Sequence, residues 1–352
     1  MFARIMFLCI ATKITCQEIK TIIFFIKIIN ILLLGLNILC MIIMKKFIDY
    51  FKDYFKTEKN LTVYIILAIF LCITITLNYI YDFENVVLDS FNGKVSGFFV
   101  HILFYGFAYY FTLFIIIRFE KNYEMLNNKK FWFSSIFIIL ILANSSNFTY
   151  FESFILGKVY YSYKDFTKQV LRNIDSFFII ILPLYIFYKT YHKDQEIFYG
   201  ITLKNTTIKP YVILLAILAP FIFLISFAPN FIKYYPVYNG HGFVGTQSVV
   251  MALLFELVYG LDFISVELLF RGFMVIGIAK FIGKKAVLPM VVTYAFLHFG
   301  KPPGETISSI FGGFILGVIA LYSKNIWGGI FIHVGVAWFM ELFAYFQKLL
   351  RH

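Results

Sequence analysis

Residues 95–117 read VSGFFVHILFYGFAYYFTLFIII, a run without one Asp, Glu, Lys or Arg. Residues 61–81, LTVYIILAIFLCITITLNYIY, have the same character. A bilayer core about 30 Å thick needs roughly 20 apolar helical residues per crossing, because no water there satisfies an open backbone. Both stretches meet that requirement. Working outward, 131–149 opens FWFSSIFIILILA and turns polar at Asn144, Ser145, Ser146 and Asn147. Residues 174–188 carry Pro183, and 210–229 lie between Pro210 and Pro229. The run from Val249 to Ile282 is too long for one simple span and is interrupted at Gly260–Asp262. It reads as two crossings, or as one crossing with a re-entrant or interfacial helix. Residues 286–299, 306–322 and 326–346 bring the set to about nine crossings.

Composition agrees. The 352 residues are 61% hydrophobic and 14% charged, whereas soluble domains sit near roughly 45–50% and 25%. Too little polar surface exists to coat a soluble fold, and disordered and collagenous chains are excluded as well. The expected class is all-α, a polytopic helical bundle integral to the membrane. The net charge of +12 comes from short basic clusters between apolar runs, a pattern for loops facing anionic lipid rather than nucleic acid. Residues 45–60 hold five Lys against three acids, which places them in the cytoplasm. Cys9, Cys16, Cys40 and Cys72 form no CxxC pair, so neither a disulfide framework nor a thiolate metal site is indicated. Gly313 and Gly317 share a helix face inside an apolar run, which reads as close helix packing rather than phosphate binding.

Four segments follow. Residues 1–43 read as an extra N-terminal anchor or as the product of an early start codon, since Met44 opens MKKFIDYFKDYFKTEKN. Residues 44–245 supply N-terminal transmembrane helices, 246–346 a core that carries the polar exceptions, and 347–352 a tail.

An ionisable residue within a span is costly and marks a site by default. These exceptions gather late in the chain, at Glu256, Glu267, Arg271, His298, His333 and Glu341. In MALLFELVYGLDFISVELLFRGFMV (251–275), Glu267 and Arg271 are four apart and can pair on one helical face, Glu on the favourable N-terminal side. Glu256 lies eleven residues before Glu267, about three turns, and would point the same way if the helix is continuous. Its bland reading is packing. His298 ends VVTYAFLHFG, and His333 lies within GGIFIHVGVAWFM. Glu341 falls near the end of its span and reads as an interface residue. His298, His333 and Glu267 together offer the N, N, O donor set of a Zn²⁺ hydrolase. Glu267 would ligate the metal or take a proton from bound water, and Arg271 would hold that carboxylate or steady an oxyanion. On the residues alone, a metalloenzyme, an ion or proton pathway and a structural cluster all fit.

Three segments together resemble a known family. VELLFRG (266–272), YAFLH (294–298) and the run from His333 resemble the signature helices of the CAAX-protease and bacteriocin-processing family of intramembrane metalloproteases. The resemblance covers about residues 246–346. In that family the first motif is Glu-Glu, three residues, then Arg, with the first Glu activating the attacking water. The second is an aromatic residue, three residues and His; the third is His followed four residues later by Asn or a similar polar residue. Glu267 matches the second Glu, Arg271 the Arg, Tyr294 and His298 the second motif, and His333 the third. Val266 and Ala337 stand where the first Glu and the Asn belong.

The resemblance implies an intramembrane endopeptidase acting on a membrane-associated peptide or protein tail through a Glu- and His-activated water, with or without a divalent metal such as Zn. The missing base would then be replaced by Glu267, by Glu256 or by Glu305. The departures also leave a catalytically inactive scaffold or binding protein as an alternative, and an ion- or proton-coupled transporter as a third. A composition rich in Ile, Phe, Tyr, Lys and Asn suggests a bacterial cell membrane.

Overall fold

The structure is a computed structural model that describes residues 43–350 apart from 122, 205, 239, 241 and 242, and the side chain of 153. The segment 1–43, expected to be an extra anchor or the product of an early start codon, lies outside the described residues except for Ile43. The chain divides into Met1–Asp49, of which residues 43–49 are described and helical, and Tyr50–His352, which holds everything below.

The second unit is all helix, with no strand among the described residues. Its helices are α1 (Leu61–Tyr81), α2 (Val95–Glu120), α3 (Lys129–Asn147), α4 (Tyr150–Ile155), α5 (Lys164–Thr190), α6 (Lys209–Ile225) and α7 (Pro229–Tyr234). After them come α8 (Thr246–Glu267), a π-helical segment (Leu268–Gly277), α9 (Ile278–Ile282), α10 (Val287–Leu297), α11 (Pro303–Ser323) and α12 (Trp327–Leu349). Among the described residues, seven stretches are long and apolar enough to cross a membrane: Leu61–Tyr81, Val95–Glu120, Lys129–Lys158, Tyr161–Thr190, Thr246–Leu297, Pro303–Ser323 and Trp327–Leu349. Lys209–Ile225 is apolar but shorter. The protein is a polytopic membrane helical bundle.

Two expectations change. Residues 174–188 are the apolar end of the longer α5, whose first turns carry Lys164, Asp165, Lys168 and Arg172. The expected break at Gly260–Asp262 is absent, and helix runs from Thr246 through Ile282. The Trp338 indole of α12 packs on Gly260, where a Cβ would meet Trp338 Cζ2 at 3.2 Å, so this glycine serves packing and not a turn. The chain turns instead at Gly283, whose φ of 60° favours glycine.

The core is built around the π-helical segment. Every residue from Leu268 to Val275 is buried, and the segment packs on α5, α10 and α11. α10 lies against α2 and α11, while α8 lies against α5 and α12. Gly313 and Gly317 do serve close packing. A Cβ at 313 would meet Tyr294 Cδ1 at 3.1 Å, and one at 317 would meet Met290 Cε at 2.5 Å. The consequence is that α11 can press onto the face of α10 that carries Tyr294.

Candidate functional site

Four elements bring the site together. Glu267 ends α8, Arg271 lies one turn on in the π-helical segment, Tyr294 and His298 come from the end of α10, and His333 from α12. A π-helical turn is wider than an α turn and recurs at functional sites. Here it begins at the residue after Glu267.

Glu267 is wholly buried and Arg271 is 1% exposed. Arg271 Nη1 stands 3.0 Å from Glu267 Oε1, a contact of charge rather than a well-aligned hydrogen bond. His333 donates from Nδ1 to the same Oε1 at 3.0 Å, because a carboxylate can only accept. Nε2 of His333 then accepts from the Tyr294 hydroxyl at 3.2 Å. The Arg271 guanidinium lies over the Tyr294 ring, 4.3 Å from its centroid, and the His298 ring meets the Tyr294 ring edge-on with centroids 4.4 Å apart. Tyr294 is therefore the hub that joins Arg271, His298 and His333. The Phe263 ring covers His333 at 4.3 Å.

Two acceptor atoms of the cluster have no hydrogen-bond partner. Glu267 Oε2 is buried and makes no hydrogen bond. It faces Gly329 of α12, where a Cβ would stand 2.3 Å away, so only glycine lets this helix approach the carboxylate. His298 donates from Nδ1 to the Tyr294 carbonyl at 2.8 Å, which leaves the Nε2 lone pair available. With Nδ1 engaged as a donor, Nε2 is the ring atom that can accept a hydrogen bond from water or bind a ligand.

The loop beyond His298 is held from α1. Asn78 Nδ2 donates to the Phe299 carbonyl at 2.9 Å, and the Tyr79 hydroxyl donates to the Lys301 carbonyl at 2.7 Å. Thr306 donates to the His298 carbonyl and meets the Tyr79 hydroxyl at 2.6 Å. These residues escaped sequence reasoning, since nothing local in α1 announces a partner more than two hundred residues away.

Other candidates lie elsewhere. Glu256 is hydrogen-bonded to Glu341, and its backbone carbonyl accepts from Trp338 Nε1 at 3.1 Å. Along a continuous helix it sits about 16 Å from Glu267, so a shared face does not bring the two carboxyls together. Glu341, expected at the membrane interface, is 5% exposed, and both its oxygens accept from the Val237 N–H at 3.1 and 3.0 Å. Glu305 accepts from the Tyr235 hydroxyl at 2.7 Å. Asp262 is a further acid, bonded to the Ser265 hydroxyl at 3.0 Å and to Ser176 of α5. Val266 is half-buried among apolar neighbours and Ala337 is buried, so neither position replaces the group the resemblance calls for.

For a metal, the donor chemistry is partly in place: Nε2 of each imidazole and Oε2 of Glu267 are of the right type. Among the described residues, no three His, Cys, Asp or Glu side chains gather closely enough to hold an ion. His333 Nε2 is taken up by Tyr294.

No curated protein and no solved structure matches the chain. Residues 257–339 match the family model described as "Type II CAAX prenyl endopeptidase Rce1-like". The matched stretch takes in Glu267, Arg271, Tyr294, His298, Gly329 and His333, begins one residue after Glu256, and ends before Glu341. About this part of the chain the conclusion is that it is similar to CAAX-type membrane endopeptidases, and the buried Glu–Arg–His–Tyr cluster falls within it.

Proposed function

We propose that the protein is an intramembrane endopeptidase that hydrolyses a membrane-associated peptide or protein through water activated by Glu267. The observation that carries this reading is the division of labour between the two oxygens of one buried carboxylate. Oε1 is fixed by Arg271 and His333, while Oε2 has no partner. An unpartnered buried carboxylate oxygen costs several kcal/mol, a cost that packing alone does not call for.

In this mechanism Oε2 takes a proton from the attacking water as its oxygen adds to a peptide carbonyl. Arg271 orients the carboxylate, and its charge, lying over the Tyr294 ring, steadies the oxyanion that forms. His298, neutral with Nε2 free, accepts a hydrogen bond from the water and aligns it. His333 holds Oε1 through their shared hydrogen bond, and as the C–N bond breaks Glu267 gives the proton it gained at Oε2 to the leaving amine. Glu267 thereby takes the role that Val266 cannot. If Zn²⁺ is bound, His298, His333 and Glu267 would hold it and it would acidify the water; none of the steps above passes through it. The setting is a multi-pass membrane protein, and we place it in a bacterial cell membrane.

The test is hydrolysis of membrane-anchored peptides by purified protein and by Glu267→Gln, His298→Ala and His333→Ala. Each replacement should lower the rate at least about 100-fold while the protein still purifies folded. Unchanged rates in all three would remove the assignment. The absence of polar side chains at Val266 and Ala337 favours one other reading, an inactive binding protein of the same fold, for which no peptide would be cut and Glu267→Gln would lower only stability.

A further inference from the structure

The two halves of the site come from distant stretches, Glu267–Arg271 and Gly329–His333. What sets their separation is a loop that carries no site residue. Tyr199 and Gly200 form a left-handed turn, with φ of 43° and 85°. On one side this turn is pressed into the π-helical segment. A Cβ at Gly272, the residue after Arg271, would meet the Tyr199 carbonyl oxygen at 2.9 Å, and one at Gly277 would meet the Tyr199 ring at 3.1 Å. The Tyr199 ring also packs on Phe273 at 5.0 Å.

On its other side the turn grips the start of α12. Ile326 N–H donates to the Gly200 carbonyl at 3.1 Å. Asn325 donates from Nδ2 to the Thr202 carbonyl and to the Thr206 hydroxyl, the latter at 2.8 Å, while its Oδ1 caps α12 by accepting from Trp327 N–H at 2.8 Å. A Cβ at Gly200 would meet Ile276 at 2.6 Å and Ile326 at 3.2 Å, so both elements touch one glycine.

Tyr199 is itself locked. Ser134 donates to the Lys130 carbonyl at 2.8 Å and so accepts from His192 Nε2 at 3.0 Å; His192 Nδ1 then accepts from the Tyr199 hydroxyl at 3.0 Å. His192 is stacked on Phe273 of the same π-helical segment at 5.5 Å. The three bonds run in one direction from Tyr199 to α3 and leave no proton misplaced.

We infer that the turn at Tyr199–Gly200, with Thr202 and Thr206, is a clamp and that Asn325 is a positioning residue: together they hold α12 in register with the π-helical segment, so that His333 Nδ1 meets Glu267 Oε1. This rests on reading Glu267 and His333 as the reacting pair, but the contact itself is read out independently of turnover. Asn325→Asp keeps the oxygen that caps α12 and removes both donors to the loop, which makes it a clean cut of the clamp. Protein labelled with ¹⁵N at histidine reports the Glu267–His333 bond through the His333 Nδ1 chemical shift, assigned with His333→Ala. Tyr105→Phe serves as control. It loses a 3.0 Å bond to Ser146 between α2 and α3, which carry no site residue.

Expected are a displaced His333 Nδ1 resonance in Asn325→Asp and none in Tyr105→Phe at a similar loss of melting temperature. Hydrolysis should fall about 10- to 100-fold in kcat with KM little changed, since small misplacements of reacting groups cost that much. An unmoved His333 resonance in Asn325→Asp overturns the inference, whatever the rate does. A moved resonance in a protein that cuts no peptide upholds the clamp and refutes the endopeptidase reading.

Discussion

Gly329 faces Glu267 so closely that a methyl group at residue 329 would stand 2.3 Å from carboxylate Oε2. α12 can reach the acid only because this position has no side chain. Gly329→Ala must push α12 outward or turn the carboxylate. Because His333 lies one turn further along α12, either response breaks its bond to Oε1. Expected are a stability loss of about 1–3 kcal/mol, typical of overpacking, and loss of hydrolysis in protein that still melts cooperatively. Ala at Gly312, where a Cβ meets nothing within 4 Å, should do neither.

The Glu267–Arg271 pair should behave as a unit. At 0 and 1% exposure, removing one charge strands the other, a cost on the order of 3–5 kcal/mol. Glu267→Gln and Arg271→Met should each be destabilised, and the double replacement should recover most of the loss. Denaturation midpoints of the four proteins close the cycle. Additive losses would show that the pair is not energetically coupled.

Glu84, in the segment after α1, lies against Gly300 of the loop that holds His298. Burial, with help from Asp89, pushes its carboxyl up to about 7 from an ordinary 4.5. Between those values the unfolded chain has released the proton while the folded protein still holds it. Stability should therefore fall as pH rises from about 4.5 to 7. Glu84→Gln should flatten that slope, which melting temperatures across the range will show. An equal slope in wild type and variant would assign the effect to another group.

Chelation separates the two forms of the mechanism. If Glu267 activates water unaided, hydrolysis persists after EDTA treatment, and elemental analysis finds no stoichiometric zinc. Zinc at one per chain, lost in His333→Ala, would instead put a metal at the heart of the reaction.

How much of this the sequence discloses depends on the range of the interaction. α1 and α2 are plain in it because no charge interrupts residues 61–81 and 95–117. α5 is concealed because its first turns are polar, and only the stretch after Asn173 looks like a span. Gly260 misleads, since a glycine in an apolar run signals a break until the Trp338 ring that fills its place is known. Glu267–Arg271 is legible from local spacing, and His298 and His333 from being ionisable in apolar text. Their meeting on the Tyr294 ring and a shared oxygen is tertiary, and no spacing contains it. Periodicity also overrates Glu256: it tells which way a side chain points but not how far along the helix it stands, and its partner proves to be Glu341.

Asn78 and Tyr79 hold the His298 loop by its carbonyl groups, not by its side chains. Phe299 and Lys301 thus contribute backbone to these bonds, and other residues in their places would offer the same oxygens. Over evolutionary time the loop can drift in composition while the imidazole stays where it is. The identity of α1 at residues 78 and 79 has no such latitude, so a helix far away in sequence inherits constraint that a motif-bearing loop escapes.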